Sequence, residues 1–127
     1  MSLYVEISGA GRDLILIHGW GMHGGVWAGV VDALSQQFRV HVVDLPGMGH
    51  SPACAPYTLA QLTDTVAAVL PDRAMMCGWS LGGLVAMQLA LSHPGRVERL
   101  MLVGATPRFV GGEDWPCAGY MWYQQDF

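Results

Sequence analysis

Five short stretches of the chain are rich in apolar residues, and the last four are almost wholly apolar. Continuous runs of this kind are typical of parallel strands that are covered on both faces. The sequence therefore predicts strands at residues 3–7, 14–17, 40–43, 74–77 and 100–103. Between them, apolar residues recur at the three- and four-residue spacing of amphipathic helices.

Three helices are predicted from that spacing. The first pattern runs from Trp27 to Phe38. The second runs from Leu59 to Leu70 and begins at Thr58 with a capping box, and the third follows Ser80 and ends at His93 before a proline and a glycine. Because strands and helices alternate, the fold class is α/β, a mostly parallel sheet with helices on both faces.

Composition narrows the function classes. A chain of 127 residues fits one domain, and its net charge of −4 argues against a nucleic-acid partner. No apolar run is long enough to span a membrane, and the first residues show no secretory signal, so we expect a cytoplasmic protein. The three cysteines, at positions 54, 77 and 117, are too widely spaced for a zinc site, and no metal or cofactor is expected.

The most informative motif is the G-x-S-x-G of residues 78–82, which lies between a predicted strand and a predicted helix. In that context it predicts a nucleophile elbow, in which Ser80 is exposed on a strained turn. The positive end of the following helix would stabilise an oxyanion formed beside the serine. The alternative is a buried serine in an ordinary strand-to-helix turn.

Two glycine-containing loops leave predicted strands at the same sheet end. The first holds His18, Gly19, Trp20 and Gly21, and its glycines allow close approach of a substrate. In an acyl-transfer hydrolase, one oxyanion donor is the N–H after the nucleophile and a second comes from this loop. We therefore predict Leu81 and Trp20 as donors. The second loop, residues 44–51, borders the site with Gly47, Gly49 and His50, and its glycines are expected to shape a turn rather than hold phosphate.

The loop at residues 18–21, the loop at 44–51 and the elbow at 78–82, in that order along the chain, resemble the α/β-hydrolase superfamily. More narrowly they resemble the BioH group, the pimeloyl-[acyl-carrier protein] methyl ester esterases of biotin synthesis, from about residue 3 to residue 116. The resemblance implies that Ser80 is the nucleophile of a carboxylesterase that forms an acyl-enzyme, that the Trp20 side chain lines the acyl channel, and that His18 supports the loop backbone. It also implies a small ester or an acyl-carrier-protein-linked ester as substrate.

The general base and the orienting acid are not found in the family's chain order. No histidine follows any of the acidic residues after Ser80, and His93 lies about 20 Å along the same helix at ~1.5 Å per residue. His41 falls in a strand. His23 and His50 lie on loops at the catalytic edge, and either could be the base.

We therefore expect residues 1–127 to be the N-terminal part of one hydrolase domain, truncated after about five strands and inactive or weakly active alone. Residues from about 107 to 127 would begin the lid region or form a divergent tail. Two alternatives stay open. One is a different α/β-hydrolase reaction (general esterase, thioesterase, lactonase or C–C bond hydrolase). The other is a non-catalytic half-domain, a homo-oligomer that covers the open edge of the strand at 100–103 with a second copy.

Overall fold

The computed structural model describes residues 2–107, which form one five-stranded sheet with helices on both faces. The strands are β1 (Val5–Ser8), β2 (Arg12–Ile17), β3 (Phe38–Val43), β4 (Ala74–Trp79) and β5 (Val97–Val103). The α-helices are α1 (Ala28–Leu34), α2 (Leu59–Ala67) and α3 (Leu81–Ser92), with short 3-10 turns at Gly24–Trp27 and Pro94–Arg96.

The strand order across the sheet is β1-β3-β2-β4-β5. Only β1 runs antiparallel to its neighbour, and every other pairing is parallel. The carboxyl ends of β2 to β5 consequently meet at one edge of the sheet, where ligands of open α/β sheets bind. The predicted fold class is confirmed, and within the described residues β5 is an edge strand, as expected.

Two apolar clusters cover the two faces of the sheet. Alternate residues of β2 belong to different clusters, Ile15 and Ile17 to one and Leu16 to the other, as the two-residue period of a strand requires. Helices α2 and α3 pack on the larger cluster, and α1 packs on the smaller one. Burial of these side chains is the main force that holds the helices to the sheet.

The first helix is shorter than its apolar spacing predicts. It ends at Leu34, and Phe38 begins β3, where it pairs with Arg12 of β2. The helical spacing of the apolar residues up to Phe38 has a different cause. The same cluster, on the α1 face of the sheet, is packed by Val31, Leu34 and Phe38. Apolar residues of a helix and of the following strand therefore share one burial site, and the pattern continues across the turn between them.

The second helix also ends early, at Ala67, while its N-terminus is as predicted. Thr58 Oγ1 accepts a hydrogen bond from the Gln61 N–H at 3.1 Å. At the other end, the guanidinium of Arg96 donates to three carbonyl oxygens, those of Ala67, Leu70 and Pro71, at 3.0 to 3.2 Å. These contacts give the carbonyl groups at and just beyond the end of α2 a charged donor, at the place where a helix runs out of backbone donors.

Several predictions made from the sequence concern residues 108–127, which lie outside the described part of the chain. They include the start of the lid region, the divergent tail and Cys117. The assignment of residues 1–127 to part of a single domain stays a prediction. No helix within residues 2–107 is long and apolar enough to cross a membrane.

Candidate active site

The backbone turns sharply at Ser80, between β4 and α3. Its φ of 55° and ψ of −116° are strained for a residue with a side chain, and no other non-glycine residue within 2–107 has a positive φ. The turn is held on both sides. The Ser80 N–H donates to the Val103 carbonyl at 2.9 Å, and the Ser80 carbonyl accepts from the N–H groups of Gly83 and Leu84.

The glycines of the motif allow this turn to pack tightly. A Cβ atom on Gly78 would lie 2.4 Å from the Gly82 carbonyl oxygen, and one on Gly82 would lie 2.3 Å from the Ile17 carbonyl oxygen. Backbone atoms cannot yield at such distances, so both positions require glycine. The strand, the strained serine and the helix together have the geometry of a nucleophile elbow.

The loop after β2 lies directly beside the serine. A Cβ atom on Gly19 would be 3.2 Å from Ser80 Cβ and 3.2 Å from the Trp79 ring. Within residues 2–107, no hydrogen bond links the N–H of Trp20 or the N–H of Leu81 to an acceptor. Two backbone donors without a partner among these residues therefore lie next to Ser80 or next to Gly19, one at the start of α3 and one in the loop after β2, which is the arrangement of an oxyanion hole.

His18 fixes the orientation of the peptide that carries one of these donors. Its Nδ1 hydrogen-bonds to the Gly19 carbonyl oxygen at 2.7 Å, and its Nε2 accepts from the Leu45 N–H at 2.9 Å. In a trans peptide the C=O and the N–H point in opposite directions. Because the Gly19 carbonyl points at the imidazole, the Trp20 N–H of the same peptide points away from it.

The same two hydrogen bonds show that His18 is neutral and unsuited to act as the base. The Leu45 N–H can only donate, so Nε2 accepts and the hydrogen is assigned to Nδ1. His18 is fully buried, and burial lowers its pKa despite the opposing effects of the Gly19 carbonyl and of Asp44. Both ring nitrogens are occupied by backbone, in agreement with a supporting role in the loop.

Asp44, at the end of β3, joins further loops and was not predicted as a site residue. One carboxylate oxygen accepts from the Gly24 N–H at 2.6 Å, and the other accepts from the His50 N–H at 2.9 Å. The Ser51 hydroxyl donates to the Asp44 carbonyl oxygen. The buried carboxylate is thus stabilised by backbone donors and holds the two loops against the strand.

The remaining loop glycines adopt conformations that side chains disfavour. Gly47 has a φ of 75° and Gly49 a φ of 54°, so both shape the turn after β3, as predicted. A Cβ atom on Gly49 would also collide with an Asp44 carboxylate oxygen. Gly21, with a φ of 73°, has open space around the position of its missing Cβ.

The histidines considered as bases are not brought to Ser80. His23 Nδ1 accepts from the Gly25 N–H at 3.0 Å, and the His50 ring packs on Tyr4 with ring centroids 4.8 Å apart. Both line a separate cavity of about 200 Å³, which Ser80 does not line.

The other two histidines are also elsewhere. His41 Nε2 bonds to Asp13 at 2.7 Å, and His93 caps the far end of α3. Within residues 2–107, no histidine hydrogen-bonds to Ser80, and no group of three or more histidine, cysteine or acidic side chains could hold a metal ion.

A second aromatic residue accompanies Trp20 and was also missed by the sequence analysis. The Tyr57 ring packs edge-on against the Trp20 ring, with centroids 5.6 Å apart and planes at 83°. Neither local spacing nor a motif connects these residues, which come from different loops. Tyr57 precedes the N-cap of α2, and only the folded chain brings it to the loop after β2.

Comparison with known proteins agrees with this geometry. The family model for the alpha/beta hydrolase fold matches residues 14–124. The match extends over most of the chain and includes the elbow and both glycine-containing loops. The chain belongs to the α/β-hydrolase family.

Two curated relatives share one name. The pimeloyl-[acyl-carrier protein] methyl ester esterase of Nitrosomonas europaea is 56% identical over 115 residues, and that of Aeromonas hydrophila is 53% identical over 118 residues. Each match covers 91% of this chain and 46% of the relative, so the chain spans about half the length of the curated relatives it matches. A solved hydrolase from Pseudomonas aeruginosa is 33% identical with a TM-score of 0.80, over 97% of this chain and 46% of that one.

Proposed function

We propose that Ser80 is the nucleophile of a serine carboxylesterase. The observation that carries the proposal is the strained turn at Ser80 with the unpaired N–H groups of Leu81 and Trp20 beside it. Ser80 Oγ would attack the ester carbonyl carbon, and the resulting oxyanion would accept hydrogen bonds from the two N–H groups. The proton of the Ser80 hydroxyl passes through a general base to the leaving alkoxide, so that loss of the alcohol leaves an acyl-enzyme, and water then releases the acid.

The proposed substrate is a methyl ester of an acyl group on an acyl carrier protein. The names of relatives more than 50% identical to the chain support this substrate class. A general esterase, thioesterase, lactonase or C–C hydrolase reaction would use the same nucleophile and donors, so it stays the alternative within the family. Comparing turnover of a methyl ester, a thioester and a lactone with one acyl group would separate these reactions.

The proposal requires a general base that residues 2–107 do not place beside Ser80. The sequence has no histidine after His93, so we propose that the base belongs to further polypeptide. Support comes from the relatives, which are about twice as long as the segment they share with this chain. The activity is therefore assigned to the protein expressed from its complete reading frame.

The test compares that protein with its Ser80→Ala and Ser92→Ala variants. Ser92 lies at the opposite end of α3, where its hydroxyl contacts Gln88, so it is a matched control on the same helix. We expect Ser80→Ala to lower turnover of p-nitrophenyl butyrate by about 10³-fold or more and to abolish labelling by a fluorophosphonate. Ser92→Ala should retain both. A folded wild-type protein without label or turnover would contradict the proposal and favour the non-catalytic alternative.

A further inference from the structure

A cleft between β1 and the loops that follow β2 and β3 carries two acidic side chains and no balancing cation. It is the cavity of about 200 Å³ that His23 and His50 line, and its acidic side chains are Glu6 and Asp44. Within residues 2–107, no lysine or arginine lines it. A cleft whose walls carry charge of one sign attracts ions of the opposite sign, because low-dielectric walls focus the field.

Asp44 is the buried charge of this cleft. It is 4% exposed, and each of its carboxylate oxygens accepts one N–H, from Gly24 or from His50. A carboxylate offers about four acceptor positions, so about two stay open. Buried acidic side chains are seldom left without a counter-charge, yet within residues 2–107 no cation pairs with Asp44. The open acceptor positions therefore suit a positively charged donor.

Glu6 and Tyr4 form the β1 side of the same cleft. Within residues 2–107 the Glu6 carboxylate forms no hydrogen bond or ion pair. The Tyr4 ring is 40% exposed and packs against the His50 ring, with centroids 4.8 Å apart. The face of a tyrosine ring attracts a cation, so this side offers a second carboxylate and an aromatic contact together.

The cleft fits an organic cation better than a metal ion. Among the residues that the structure describes, no group of three or more histidine, cysteine or acidic side chains could hold a metal ion. A cavity of about 150 Å³ can hold a benzene molecule, so a volume of about 200 Å³ has room for about five to eight non-hydrogen atoms. Val42 adds apolar surface to the lining, which suits an alkyl part of the ligand.

We propose that this cleft binds a small organic cation of the alkylammonium class. The ammonium group donates hydrogen bonds to the carboxylates of Asp44 and Glu6, and the alkyl chain lies against Val42 and the Tyr4 ring. The inference goes beyond the proposed esterase function, because Ser80 does not line the cleft and binding there requires no catalysis.

The experiment compares n-butylamine with 1-butanol, which has the same number of non-hydrogen atoms and no charge. Both are titrated by calorimetry at pH 8 into the protein expressed from its complete reading frame. We expect a Kd of about 1 mM for butylammonium and binding of butanol at least about tenfold weaker. Glu6→Gln keeps the shape of the side chain and should weaken butylammonium binding about fivefold, the size expected for one partly exposed ion pair, without changing the butanol titration.

Asp64→Asn is the matched control, because it removes an exposed carboxylate on α2 that does not line the cleft. It changes the net charge by the same amount and should leave the Kd of butylammonium unchanged. The melting temperature of each variant reports whether its fold is retained. Equal weakening by both substitutions, or equal binding of butanol and butylammonium, would refute the site. Absence of binding to the folded wild-type protein would refute it too, since the cleft would then be closed to a free ligand.

Discussion

Two regions of the same sheet differ in how far their side chains are buried: the loops at the carboxyl ends of β2, β3 and β4, and the strand β5. At the first region, His18 and Asp44 bind backbone groups of the neighbouring loops and are themselves buried. Along β5, four consecutive apolar residues, 100 to 103, are 38% to 63% exposed. Beside that strand a cavity of about 280 Å³ is lined by Val26, Trp27, Trp79 and Val103.

The difference shows which parts of an active site one stretch of chain can organise alone. The serine turn and its two donors are fixed by hydrogen bonds that begin and end within residues 2–107. Two buried nitrogens lack a hydrogen-bond partner among those residues: the indole nitrogen of Trp27, which lines the cavity beside β5, and Nδ1 of His41 on β3. A buried polar atom without a partner costs free energy in either region, so the contrast rests on the exposed apolar residues of β5, which are typical of a binding surface. The serine turn and the two backbone donors are thus organised within residues 2–107, whereas the outer side of β5 has no neighbouring strand among those residues.

The largest effect on the free energy of unfolding is expected from Gly82→Ala, which would disrupt the close packing of the turn at Ser80. The added methyl would overlap the carbonyl oxygens of Ile17 and His18, so the start of α3 must move away from β2. We expect a loss of about 3 kcal/mol in the free energy of unfolding, measured by urea denaturation. Gly29→Ala is the matched control on α1, where a Cβ meets nothing within 4 Å.

The control should be neutral or stabilising by about 0.5 to 1 kcal/mol. Equal stability of the two alanine variants would show that the first turn of α3 is free to shift, and the close packing of the serine turn would then not be what fixes the Leu81 N–H.

A smaller, pH-dependent effect is expected at His18. His18→Ala removes two buried hydrogen bonds and should cost about 2 to 3 kcal/mol near pH 7.5. The pKa of His18 is lowered in the folded chain, so below about pH 6.5 the unfolded chain binds this proton more readily. The contribution of His18 is therefore complete above that pH and is lost as the pH falls.

The difference in unfolding free energy between wild type and His18→Ala should accordingly narrow between about pH 7.5 and pH 5. His18→Asn keeps a donor for the Gly19 carbonyl and does not titrate. It should be intermediate in stability near pH 7.5 and, like His18→Ala, should lack the pH-dependent contribution of this site. A gap that stays constant, or widens towards acid pH, would contradict the assignment of a buried, neutral imidazole.

The smallest effect on stability is expected on β5. Met101 is 63% exposed, so Met101→Glu in the 127-residue chain should change the free energy of unfolding by no more than about 0.5 kcal/mol. Light scattering after size exclusion would test the alternative of a homo-oligomer. If copies associate through β5, the glutamate should convert the oligomer to monomer while Met101→Leu retains it. An unchanged oligomer would place the interface elsewhere.

Much of the fold is predictable because parallel strands buried on both faces leave solid apolar runs, as in β2 and β4. The position of Ser80 is predictable because the elbow imposes glycine at 78 and 82. Asp44 and Tyr57 were missed for one physical reason. Each acts through contacts with residues six to 37 positions away, which include those from Asp44 to His50 and Gly24 and from Tyr57 to Trp20, and such contacts have no local sequence period.

The hydrogen bond between the Ser80 N–H and the Val103 carbonyl has a thermodynamic consequence. It couples the serine turn to β5, whose outer side has no neighbouring strand within residues 2–107. Whatever binds along β5 and stabilises that strand also narrows the motion of the turn. Linkage is reciprocal, so a ligand that preferred the narrowed turn would strengthen binding at β5 by the same factor. Substrate affinity and the assembly of the complete protein would then be two measurements of one coupling free energy.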